Sequence, residues 1–260
     1  MKKILFILFN ALTIICAGQQ YNDSTTARIN LLVEKTKHNT ITSGESSELR
    51  RYIFNIQNKG FVLEEKQQDY SNALAEIDKA LSIWKSIGDT LSIANLQKYK
   101  GYLYGKLKQF EKGKSELRSS IELFKIKSFD AGVAVSQHDF SLLYAFENNI
   151  DSALYYEIAS NNFWITRKDT LRIVVGYIQL IYLYQKKKNI KQAVELQQLS
   201  NAMLNNTNTQ WLPLINFYYV SYKLYEETKN NKLTEKYKKL YSTKIAELKE
   251  KNIIAKSNYE

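Results

Sequence analysis

Along most of the chain, apolar residues recur at steps of three and four, the spacing that gathers them on one face of an α-helix. Acidic or hydroxyl residues stand where such helices would begin. The pattern predicts a first helix over residues 24–37, followed by pairs over 47–66 and 70–87, 90–106 and 110–127, 130–147 and 151–167, 170–187 and 191–205, and 210–228 and 231–254. Asp89, Asp130 and Asp169 are placed to accept hydrogen bonds from the free amides of a first turn. Asn148, Asn149 and Asn189 fall where the first helices of pairs should stop. Residues 38–46, HNTITSGES, read as a linker.

The pairs repeat. Leu103 and Tyr104, Leu143 and Tyr144, and Leu183 and Tyr184 are spaced 40 residues apart, and each pair is followed nine residues after its tyrosine by a small residue, Gly113, Ala153 or Ala193. Other columns follow the same period: Trp84, Phe124 and Trp164 are large aromatics, and Ala80, Ser120, Ser160 and Ser200 are small. Leu91, Ala131, Leu171 and Trp211 are apolar. A fixed period of this size implies stacked helical units, each leaving an apolar face for its neighbour to cover. The small residues mark where two helices approach closely, with Gly101 or Ser141 on the first helix facing the second.

These columns resemble the tetratricopeptide repeat, a helix-turn-helix unit with a small residue and a tyrosine on its first helix and small residues on its second. Gly101, Tyr104, Gly113 and Ser120 occupy those positions in one unit, Ser141, Tyr144, Ala153 and Ser160 in the next, and Ile181, Tyr184, Ala193 and Ser200 in the one after. Ala73, Ile77 and Ala80 match in the first unit, and Ser221 and Tyr237 in the last. The likeness covers about residues 47–241. It departs from the family in its 40-residue unit, which exceeds the usual 34, in lacking the proline that often ends a unit, and in Ile181. The resemblance implies an all-α fold, a right-handed α-solenoid of about five helix pairs with an extra N-terminal helix and a C-terminal capping helix.

The N-terminus follows a different pattern. Lys2 and Lys3 precede an apolar stretch from residue 4 to 15, followed by Cys16, Ala17 and Gly18, the form of a secretory leader. The expected organisation is therefore a leader over 1–18, an N-terminal helix and linker over 19–46, and the repeat domain over 47–260. Cleavage after Gly18 makes the protein periplasmic or secreted. The alternative is an outer-membrane lipoprotein anchored through Cys16, the chain's single cysteine, although Ile15 stands where such sites usually carry a small residue. No later apolar run approaches the roughly 20 residues of a transmembrane helix.

The formal charge is +11, from 37 basic and 26 acidic residues. The lysines are scattered among Glu and Asp, with a local excess only after residue 229, so the balance describes solvated helix faces rather than a nucleic-acid footprint. No motif carries a reaction or a cofactor. Residues 101–106, GYLYGK, lack the spacing of a phosphate loop, there is no zinc-binding helix, and there is no cysteine pair. His38 and His138, the latter beside Asp139, are read as surface residues, and no enzymatic activity is expected.

Many tyrosines serve the repeat itself. Others fall on the inner face of first helices, where proteins of the resembled family hold an extended peptide or a partner's helix. That face comprises Lys98, Tyr99, Tyr102 and Lys106, then His138, Asp139, Leu142 and Phe146, then Gln179, Tyr182 and Lys186, and finally Tyr218, Tyr219 and Tyr222. Aromatics with polar tips among lysines suit a protein or peptide offering apolar and carboxylate side chains. The alternatives are a face that is merely solvated or covered by a terminal helix. The expected function is an exported, non-catalytic binding scaffold. Two other readings stand beside it: an extracytoplasmic sensor input module, and a surface lipoprotein aiding nutrient capture.

Overall fold

The computed structural model describes residues 23–205 and 213–250. The expected leader, Cys16 and the stretch expected to be helical beyond residue 250 lie outside the described residues, as does Trp211. Among the described residues α1 (Asp23–Lys37) precedes five pairs: α2 (Ser43–Gln67) with α3 (Tyr70–Ile87), α4 (Thr90–Lys106) with α5 (Phe110–Ile126), α6 (Asp130–Phe146) with α7 (Ile150–Arg167), α8 (Thr170–Lys186) with α9 (Ile190–Asn205), and α10 (Pro213–Glu227) with α11 (Asn231–Glu250). Each helix packs on the next, and the first helices α4, α6, α8 and α10 also touch in series. The architecture is an all-α solenoid.

The turns explain the period. Gln68, Gly88, Lys108, Ser128, Asn148, Lys168 and Lys188, spaced 20 residues apart, all have positive φ, between 50° and 74°. The 40-residue unit is thus two equal steps of helix plus turn. After each left-handed residue the next amide bonds back into the helix: Gln109 N donates to Tyr104 O at 2.8 Å, Asn149 N to Tyr144 O at 2.8 Å, and Asn189 N to Tyr184 O at 2.9 Å. Only Gly88 has the residue type that adopts this conformation without steric cost.

Asp89 and Asp169 cap as expected, accepting from Ser92 N and Arg172 N at 3.0 Å. Three expectations are corrected. Asn149 and Asn189 do not stop helices but start the next ones, accepting from Ser152 N and Gln192 N. Asp130 lies inside the first turn of α6 because Phe129 occupies the cap position. There its charge favours the positive end of the helix dipole. Finally, α2 begins at Ser43, within the stretch read as linker, because Thr42 and Glu45 form a reciprocal capping box. Arg28 of α1 grips Glu48 of α2 with two bonds, at 3.1 and 2.7 Å, and Leu32 and Ile53 are fully buried in the hydrophobic cluster these helices share.

The small residues act as the period implies. A Cβ on Gly101 of α4 would lie 2.5 Å from Leu117 Cγ of α5, and one on Gly113 of α5 would lie 2.9 Å from Gly101 O. Two backbones touch there. Leu103, Leu143, Leu183, Ala153 and Ala193 are all buried around the equivalent contacts. Ile181, larger than its counterparts, is fully buried in the cluster that joins α8 to Phe217 of α10.

Candidate inner-face binding site

Residues three and four apart on a helix share a face, and α4 presents Lys98, Tyr99, Tyr102 and Lys106 in this way. Tyr99 packs edge-on against Phe61 of α2 at 4.7 Å and stacks with Tyr102 at 6.1 Å. Both phenols approach Glu64, Tyr102 Oη donating to Oε1 at 3.2 Å and Tyr99 Oη to Oε2 at 3.5 Å. Burial, reinforced by the Glu64 carboxylate, pushes the Tyr102 hydroxyl far above the ordinary phenol range and keeps it a neutral donor.

On the other side of Tyr102, the Lys106 ammonium lies 5.3 Å from the Tyr102 ring and 4.8 Å from the Phe146 ring of α6. Lys98 reaches Asp139 of α6 at 3.9 Å. Leu142 is buried beside them. The structure therefore brings Lys98, Tyr99, Tyr102, Lys106, Asp139, Leu142 and Phe146 together as one strip across α4 and α6. On α8, Lys186 lies over Tyr182 at 5.3 Å, repeating the lysine-on-tyrosine arrangement.

The remaining expected residues lie elsewhere. Gln179 is fully buried, its Nε2 donating to Ser141 Oγ at 3.0 Å, so it joins α8 to α6 and meets no partner. His138 turns away from the strip to Glu157 of α7, with Nδ1 at 2.9 Å from Oε2. Both expectations are corrected: at these two positions the side chains enter contacts between helices, Gln179 with α6 and His138 with α7. Tyr218, Tyr219 and Tyr222 pack on α11, Tyr218 against Tyr237 at 6.4 Å and the other two against Tyr241 at 5.5 and 6.1 Å.

Three participants escaped the sequence reading. Phe61 and Glu64 belong to α2, whose repeat signature is weak, yet they complete the Tyr99 and Tyr102 environment. Glu157 could have been found from its column, where Ile77, Leu117 and Gln197 are its counterparts. Among the described residues no group of three His, Cys, Asp or Glu is gathered as for a metal ion, and no helix is long and apolar enough to cross a membrane.

No family model and no curated protein matches the sequence. Solved structures do resemble the fold. BtubC (BKLC) from P. vanneervenii superposes with a TM-score of 0.62 at 13% identity, covering 86% of this chain and 90% of that one. A putative kinesin light chain from Podosopora anserina, with nearly identical TPR-like repeats, gives 0.56 at 11% identity, covering 75% and 96%. The chain has the tetratricopeptide-like solenoid fold.

Proposed function

We infer that the protein is an exported, non-catalytic scaffold that holds an extended protein or peptide segment against the strip on α4, α6 and α8. The observation that carries this reading is the run of half-buried aromatic and basic side chains on α4 and α6, from Tyr99 through Tyr102 and Lys106 to Phe146, with a second lysine-on-tyrosine pair, Lys186 and Tyr182, on α8. Rings presenting a polar tip contribute large contact area with little loss of side-chain freedom, and lysines resting on them favour carboxylates in the ligand. The basic leader with its short apolar core supports export.

Affinity capture from the native envelope, followed by titration of the captured partner, tests the site. Tyr102→Ala and Tyr182→Ala should each weaken binding about tenfold or more, equivalent to about 1.4 kcal/mol. Unchanged affinity in both variants would rule out this face. Sequencing the native N-terminus tests export: a start at Gln19 fits cleavage after Gly18, and an uncleaved leader contradicts it.

A further inference from the structure

The 40-residue column that contains Ile77 and Leu117, both fully buried, holds Glu157 in the third unit. Glu157 is also fully buried, on α7, in a column where Ile77 and Leu117 pack in apolar clusters. A carboxylate survives in such a place only when paired. Its partner is His138 of α6, whose Nδ1 lies 3.0 and 2.9 Å from the two Glu157 oxygens. The fourth unit places an amide, Gln197, in the same column and satisfies it with Ser221, Tyr225 and Tyr237. The fifth unit places Tyr237 there, so within the column only the third unit carries a carboxylate.

The other charges around the pair are few. Asp139 adjoins His138 on α6, Lys98 of α4 reaches Asp139, and Arg172 of α8 lies over Trp164 of α7 at 5.3 Å. His138, Glu157, Ser160, Trp164 and Arg172 border a cleft with room of about 20 Å³, enough for one water. Deprotonation of His138 would take from Glu157 the cation bonded directly to it, leaving Arg172 as the positive charge bordering the cleft.

We propose that the His138 and Glu157 pair is a proton-operated joint of the solenoid: protonated His138 locks α6 to α7, and loss of that proton loosens the third unit and its junction with α8. Burial acts to lower the imidazole, but Glu157, with Asp139 behind it, outweighs burial and lifts it above 6.5, the ordinary value. The folded state thus binds the proton more tightly than the unfolded chain. The stabilisation is complete below the unfolded value near 6.5 and is lost as pH rises through the higher folded value, by up to about tenfold in the opening equilibrium per pH unit. Asp139, raised by burial, acts in the same direction on the acid side.

Hydrogen exchange of the whole protein from pH 6 to 9, corrected for intrinsic rates, tests the joint. Protection in α6 and α7 should fall with rising pH while protection in α2 and α3 stays level, and Glu157→Leu should flatten the α6 and α7 profile. Parallel profiles in the two regions, or an unchanged slope in Glu157→Leu, would overturn the proposal. Nuclear magnetic resonance of the wild type gives an independent measure, since His38 and His138 are the only imidazoles. A His138 midpoint above that of a free imidazole supports the joint; one at or below it refutes it.

Discussion

Gly113→Ala and Gly44→Ala are the same chemical change on two helices and should move stability in opposite directions. Replacing a helical glycine with alanine gains up to about 1 kcal/mol of propensity. At Gly44, in the first turn of α2, a Cβ meets nothing within 4 Å, so the gain is realised. At Gly113 the added carbon would lie 2.5 Å from Leu143 Cδ1 and 2.9 Å from Gly101 O. The leucine methyl can rotate away, but the carbonyl belongs to the α4 backbone and yields only if the helix moves. Overpacking of this kind costs about 1 to 3 kcal/mol, so Gly113→Ala should be destabilising by about 1 kcal/mol net. For a chain of this length the two variants should then differ in melting temperature by about 4 to 8 °C. Thermal unfolding by circular dichroism measures the difference, and hydrogen exchange should localise the Gly113→Ala effect to α4 and α5. A Gly113→Ala protein melting as high as Gly44→Ala would refute the reading of the α4 and α5 contact as backbone against backbone.

The turns and the cap yield further expectations. Lys108, at φ 57°, is an exposed left-handed residue; Lys108→Gly should stabilise by about 0.5 to 1 kcal/mol, relief of steric cost exceeding the added freedom of the unfolded chain, whereas Gly88→Ala should cost about 1 kcal/mol, both read from urea unfolding. Gln197 accepts from Tyr225 Oη at 2.7 Å and donates to Tyr237 Oη at 2.9 Å. Gln197→Leu leaves the buried Tyr225 hydroxyl without that acceptor, so it should cost about 1 to 3 kcal/mol and speed amide exchange in α11.

Much of this architecture could be read from side-chain size. The recurring small residues and the Leu-Tyr pairs locate the helix contacts because close approach constrains volume, and α3 and α4 span the predicted residues because Asp69 and Asp89 cap them and Gly88 ends the first. The turns at Lys108, Ser128, Lys168 and Lys188 were illegible as left-handed, since those residue types carry no conformational signature. Thr42 and Glu45 spelled a capping box, but Gly44 and the surrounding serines read more strongly as linker. Of the inner face, the α4 residues and Phe146 followed from spacing, whereas the burial of Gln179 and the turning of His138 toward Glu157 depend on how the helices rotate in the stack. No single-column count reports that rotation.

The even 20-residue step limits how such a chain can vary over evolution. Helices α4, α5, α6 and α8 have 17 residues each, and one residue inserted in any of them would swing everything beyond it by about 100° before the next turn. Most exchanges of one side chain for another disturb only the local contact and its neighbouring unit. Lineages of this kind can therefore drift in residue identity while conserving residue number, so that shared spacing outlasts shared letters.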